Sequence, residues 1–139
     1  MDVSPEYVAM CDCPEIQGHR LEERHSDTGK WQEGDFWTTR FDVDKGKVFI
    51  VYKPNDAWAD EPHYLHHPIE CIWLPRQDQL QMMYSNGNFG LQTLCCFIYD
   101  FATSQYGSGF TINGSMEQLW LAFVMKSLYQ KSWNGSGWV

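Results

Sequence analysis

Basic clusters are missing from this chain: ten Lys and Arg residues stand against 18 Asp and Glu, and no run of them forms a patch. A protein that binds nucleic acid without regard to sequence needs such a footprint to displace counterions from phosphates, so generic nucleic-acid binding is not expected. No apolar run is long enough for a transmembrane helix. Met1 leads into Asp2 and Glu6 without the basic and apolar segments of a signal peptide, so no membrane partner is expected and the expected compartment is the cytoplasm. Five cysteines, an odd number with Cys95 and Cys96 adjacent, do not suggest a disulfide framework and read as free thiols. The P-loop, the dinucleotide-binding glycine fingerprint, HExxH and GxSxG are all absent. The chain therefore reads as more plausibly non-enzymatic than enzymatic, with no catalytic residue and no cofactor.

Charge is also scarce in one half. Residues 1–70 carry 15 acidic and seven basic side chains, whereas residues 71–139 carry three of each, so the net charge of -8 lies entirely in the first half. A second half this poor in charge is either deeply buried or covered by a partner, and a homo-oligomer is expected.

What the chain has in abundance is aromatic surface: 16% of its 139 residues are Phe, Trp or Tyr, seven of them Trp. That apolar content supports one folded domain spanning 1–139. Ser4 and Pro5 open a short helix reaching about Cys11, and Pro14 disfavours helix at Cys13. Residues 17–30, charged and without periodicity, read as an exposed loop. Residues 36–41 and 47–52 are β-branched and aromatic runs joined across Asp44-Lys45-Gly46, a hairpin, and residues 69–74 supply a third short strand. Helices are expected over 75–84, with Pro75 at the first helical position, and over about 90–104, where Leu91, Leu94, Cys95, Ile98 and Phe101 recur at helical spacing. Ser115 and Gln118 make a capping-box pattern ahead of a helix that is apolar on nearly every side from Met116 to Tyr129. The expected fold is α+β: a small antiparallel sheet packed against about three to four helices, with a buried C-terminal helix.

Four segments together resemble a known family. They are Cys13-Pro14-Glu15-Ile16-Gln17, Trp31 with Glu33-Gly34-Asp35, the run Trp73-Leu74-Pro75-Arg76-Gln77-Asp78-Gln79-Leu80-Gln81, and residues 115–126 followed by Trp133 and Trp138. The chain is similar to small proteins of unassigned function from tailed phages and prophages. The resemblance implies a protein at work in the cytoplasm of an infected bacterial host cell, and it implies no reaction, so it designates no catalytic residue.

Two constellations could carry chemistry. His63, His66, His67 and Cys71, with Cys11 and Cys13 as further thiolates, are ligand types that suit zinc, although no second Cys/His pair stands at finger spacing and a solvated loop accounts for the histidines equally. Arg76, Gln77 and Asp78 fall in the first turn of a helix, where free backbone N–H groups attract anions, and Trp73 just ahead could stack on a base. The competing explanation is a polar helix face in which Asp78 serves the dipole. The leading functional expectation is an accessory protein that binds a host protein or its own copies through the apolar second half. A small-ligand binder that sequesters a nucleotide-like molecule near Trp73, Arg76, Gln77 and Asp78 is the alternative, and a metal-binding protein using the His63–Cys71 cluster is the second alternative.

Overall fold

Three short strands and five helices make up the described parts of a computed structural model, which cover residues 1–22, 34–39, 47–50, 71–110 and 114–139. The chain is α+β and divides into two compact units, Val3–Leu74 and Pro75–Val139 with Met1–Asp2.

In the first unit, α1 (Pro5–Cys11) starts as its sequence dictates: Ser4 Oγ accepts a hydrogen bond from the Tyr7 backbone N–H at 3.2 Å, and Pro5 occupies a position whose missing donor costs nothing. The helix ends at Asp12, and Pro14 then opens α2 (Pro14–Glu22). Residues 17–22 are thus helical where a loop is expected. A helix-initiating proline has the same sequence signature as a breaker, and the weak apolar periodicity of α2 conceals a completely buried residue, Ile16.

The sheet has the order β2-β1-β3, all antiparallel, with β1 (Phe36–Thr39) in the middle, β2 (Val48–Ile50) on one side and β3 (Cys71–Leu74) on the other. Register places Trp37 opposite Phe49 on one side and Trp73 on the other. Directly opposed residues share a face, so an aromatic row crosses the sheet; Trp37 and Phe49 stack with centroids 4.4 Å apart. The Thr38 hydroxyl donates to the Lys47 carbonyl at 2.7 Å, tying β1 to the start of β2. The expected Asp44-Lys45-Gly46 turn lies outside the described residues. Helices α1 and α2 pack on β3, whose four residues are all buried.

The second unit is helical. Arg76 is the N-cap of α3 (Gln77–Ser85), so Pro75 stands before the cap and not at the first helical position. The Arg76 N–H donates to Gln79 Oε1 at 2.8 Å, closing that end. The other end closes on Asn86, which takes the left-handed conformation with φ 45°, as expected of an Asn-Gly terminator. Next come α4 (Leu91–Thr103) and α5 (Met116–Tyr129), and both α3 and α4 pack on α5. Gly107 follows α4 at a point where a Cβ would overlap the Phe101 carbonyl oxygen, so only glycine permits this closure.

Helix α5 begins where Ser115 Oγ accepts from the Gln118 N–H at 3.1 Å, and the same hydroxyl donates to Asp2 Oδ2 at 2.5 Å. Every residue from Gln118 to Met125 is buried, which accounts for the absence of a polar stripe. Phe123 receives the edges or faces of Tyr84, Phe101 and Trp120 at centroid distances of 4.6 to 5.6 Å. After the helix the chain does not trail off as a tail. Ser132 and Val139 exchange backbone hydrogen bonds, Trp133 packs edge-on against Trp138 at 5.1 Å, and Asn134 Oδ1 accepts from the N–H groups of Ser136 and Gly137. The result is a small closed hairpin.

Candidate functional site

The residues proposed for a ligand pocket fall on different parts of the fold. Trp73 belongs to β3 of the first unit, while Arg76, Gln77 and Asp78 begin the second. Trp73 is 4% exposed, so it offers no open ring face for stacking, and its indole N–H has no acceptor among the described residues. The Arg76 guanidinium is engaged by Asp78 through two hydrogen bonds, Nε to Oδ1 at 3.0 Å and Nη2 to Oδ2 at 3.1 Å. Gln77 is the first residue of α3 and half-buried. The Arg76–Asp78 pair, and Gln79 Oε1 accepting from the Arg76 N–H, thus brace this turn.

The Arg76 hydrogen bond is also the main reason the Asp78 carboxyl titrates below the ordinary range, partial desolvation opposing it. Replacing Arg76 by Ala is expected to raise that pKa toward its usual value. Such a depressed carboxylate contributes stability above its unfolded pKa of about 3.9 and loses it as pH falls through the folded value. Because the Asp78 side chain is largely solvent-exposed, screening keeps the contribution below about 1 kcal/mol. Carboxyl NMR titration of both proteins measures the shift, and an unmoved Asp78 would contradict the assignment.

Of the metal candidates, His63, His66 and His67 lie outside the described residues. Cys71 is buried at the start of β3, and Cys11 and Cys13 are buried at the junction of α1 and α2. Among the described residues no three His, Cys, Asp or Glu side chains are placed to share a metal ion. In the second unit, a cleft lined by Phe101, Tyr106, Phe110, Ala122 and Trp133 is filled by its own side chains, with Lys126 Nζ 4.2 Å from the Tyr106 ring centroid.

The helix α4 departs most from expectation. Leu91, Leu94, Cys95, Ile98 and Phe101 are expected to form one apolar stripe of an amphipathic helix. In the structure Leu94 and Ile98 are buried, and Phe97 and Phe101 are half-buried beside them. Leu91 and Tyr99 are 70% and 68% exposed, and Cys95 and Cys96 are both exposed. The reason is geometric: a helix on the outside of a three-helix cluster buries about 100° of its circumference, and Leu94, Phe97, Ile98 and Phe101 already fill that arc. Leu91, Cys95 and Tyr99, spaced i, i+4, i+8, are surplus and line up on the open side. Asp100 is the only ionised residue of the helix. Thr103 at its end turns its hydroxyl back to the carbonyls of Tyr99 and Asp100, both at 3.1 Å. The signal was present in the sequence as an excess of apolar residues over what one helix face accommodates.

Sequence reasoning also missed Gln17. Its carboxamide accepts from the Trp73 N–H at 2.9 Å and donates to the Trp73 carbonyl at 3.1 Å and the Cys11 carbonyl at 2.9 Å. One side chain thereby completes the outer hydrogen bonds of an edge strand, as a neighbouring strand would. No local pattern announces this, because the partners are 56 residues apart.

No family model, curated protein or solved structure matches this chain.

Proposed function

We propose that this chain is a phage or prophage accessory protein that works without catalysis, in the cytoplasm of the host cell, by binding protein through the open side of α4. The observation that supports this reading is the exposure of Leu91 and Tyr99 on a helix whose outward face also carries Cys95 and Cys96. Large apolar side chains gathered on one solvent-facing helix cost solubility and are characteristic of protein interaction surfaces. The opposite face of the same helix is already packed, so the exposed residues contribute nothing to the core of their own unit. No helix among the described residues is long and apolar enough to cross a membrane.

The test is recovery of associated proteins by tagged wild-type chain and by a Leu91→Glu variant in an infected host. Leu91 is exposed, so its replacement leaves the fold intact, as circular dichroism and thermal unfolding will verify. Association is expected to fall at least about tenfold in the variant, the usual consequence of placing a charge in an apolar contact. Equal recovery of the same proteins by both chains would defeat the proposal.

A further inference from the structure

We infer that Asn134 is a site of self-promoted deamidation, at which the Trp133–Trp138 hairpin converts its own asparagine to aspartate or isoaspartate with water as the only co-reactant. The reaction is independent of the α4 surface.

An Asn-Gly step lets a backbone nitrogen reach the preceding side-chain carbonyl most easily, because glycine puts no Cβ in the way. The chain contains this step three times, at Asn86-Gly87, Asn113-Gly114 and Asn134-Gly135. In the sequence the three are equivalent, and the fold separates them. The nucleophile is the glycine nitrogen, which must give up its proton to attack. The Gly87 N–H donates to Ser85 Oγ at 3.2 Å, and the Gly114 N–H donates to the Phe110 carbonyl at 2.9 Å, so both protons are held. The Gly135 N–H has no acceptor among the described residues. Asn134, Gly135 and Ser136 are exposed, and a Cβ on Gly135 would meet nothing within 4 Å, so solvent reaches this nitrogen freely.

The electrophile is prepared at the same place. Asn134 Oδ1 accepts three hydrogen bonds of 3.0 Å each, from the Ser136 N–H, the Ser136 hydroxyl and the Gly137 N–H. These donors lie beyond Gly135 in the chain, so the side chain that reaches them folds back over the Gly135 peptide and brings Cγ toward its nitrogen. Donors fixed on Oδ1 also draw electron density from Cγ and stabilise the negative oxygen that attack creates. Asn86 Oδ1 receives no such bond among the described residues. The positive φ of Gly135, 94°, is what permits this turn.

The chemistry balances with water alone. Solvent hydroxide takes the Gly135 amide proton, and the nitrogen pair attacks Asn134 Cγ while the carbonyl π pair moves onto Oδ1. Collapse of the adduct breaks the Cγ–Nδ2 bond and releases ammonia, which takes its proton from water. A water molecule then opens the cyclic imide at either carbonyl, giving aspartate or, with the backbone rerouted through the side chain, isoaspartate. Either product adds a negative charge to the hairpin. Isoaspartate also lengthens the backbone between Trp133 and Trp138, which should loosen their edge-on contact and the Ser132–Val139 pairing.

Peptide mapping by mass spectrometry tests this on the purified full chain, incubated folded and in urea at mildly alkaline pH. In the folded chain Asn134 is expected to convert at least about tenfold faster than Asn86 or Asn113, and in urea the three rates should converge. Ser136→Ala removes one of the three donors from an exposed turn. It should slow conversion of the folded chain about fivefold, with circular dichroism unchanged, and leave the rate in urea as it was. Conversion at Asn134 no faster than at Asn86, a preference for Asn134 that persists in urea, or a folded Ser136→Ala rate equal to that of wild type would each overturn the inference.

Discussion

Replacing Trp120 by Ala is expected to remove about 3–5 kcal/mol of stability, enough to unfold much of a marginally stable domain. Trp120 is 1% exposed at the centre of the buried run of α5, and it meets Phe123 edge-to-face at 5.6 Å. Truncation deletes the apolar contacts and leaves a cavity that surrounding helices cannot fill. The phenylalanine variant separates packing from polarity. The indole N–H of Trp120 has no acceptor among the described residues, so Trp120→Phe discards an unsatisfied donor along with part of the ring. Its cost should therefore be well below that of alanine, about 1–2 kcal/mol. Urea unfolding of the two variants measures both numbers. Comparable losses for Ala and Phe would mean that the indole nitrogen is bonded after all, and a loss below about 1 kcal/mol for Ala would contradict the placement of α5 at the core.

Gln17→Ala is expected to cost about 2–4 kcal/mol, a large effect for a polar side chain on a short helix. Alanine deprives the N–H and carbonyl of Trp73 of their partner in one step, and the Cys11 carbonyl loses a donor as well. Amide exchange at Trp73 should accelerate with the loss. The glutamate variant gives a sharper result because its sign depends on pH. Gln17→Glu keeps the acceptor for the Trp73 N–H and places an ionised oxygen against two carbonyl oxygens where an amide donor stood. The folded state then resists ionisation, raising the pKa above its unfolded value of about 4.3. The pH-dependent part of the deficit relative to wild type is therefore absent below the unfolded pKa, grows as pH rises above it and is complete above the folded pKa, on top of the one hydrogen bond that a protonated carboxyl cannot replace. Unfolding of both proteins from pH 4 to pH 8, compared at each pH, will show the gap widening; a gap constant across that range would refute the hydrogen-bond geometry.

These two residues also show what the four segments singled out in the sequence do in the fold. Ile16 and Gln17 come from one segment and Trp73 from another, and the structure joins them through the Gln17 carboxamide. Asp35, from a third, is 1% exposed beside β1. The run from Gln118 to Met125 is the centre of the second unit. Such residues are demanded by the fold, whichever surface does the work. The surface that supports the proposed function, around Leu91 and Tyr99, lies outside all four segments.

The sequence by itself determined the elements whose causes are local. Ser4 with Pro5, Asn86 with Gly87, and Ser115 with Gln118 set helix ends through hydrogen bonds spanning three or four residues, and the β-branched and aromatic runs at 36–39 and 48–50 pair as antiparallel neighbours. The continuous apolar stretch of α5 was likewise legible as burial. Where a segment's structure depends on distant partners, sequence and structure part: residues 17–22, expected as a loop, are helical, and Leu91 and Cys95, on the expected apolar stripe, are exposed. Only the tertiary structure decided that Gln17 seals β3 and that Leu94, Phe97, Ile98 and Phe101 exhaust the packed side of α4. Helical periodicity reports which side chains share a face, whereas burial depends on which neighbours arrive to cover that face, and those neighbours are supplied by residues far along the chain.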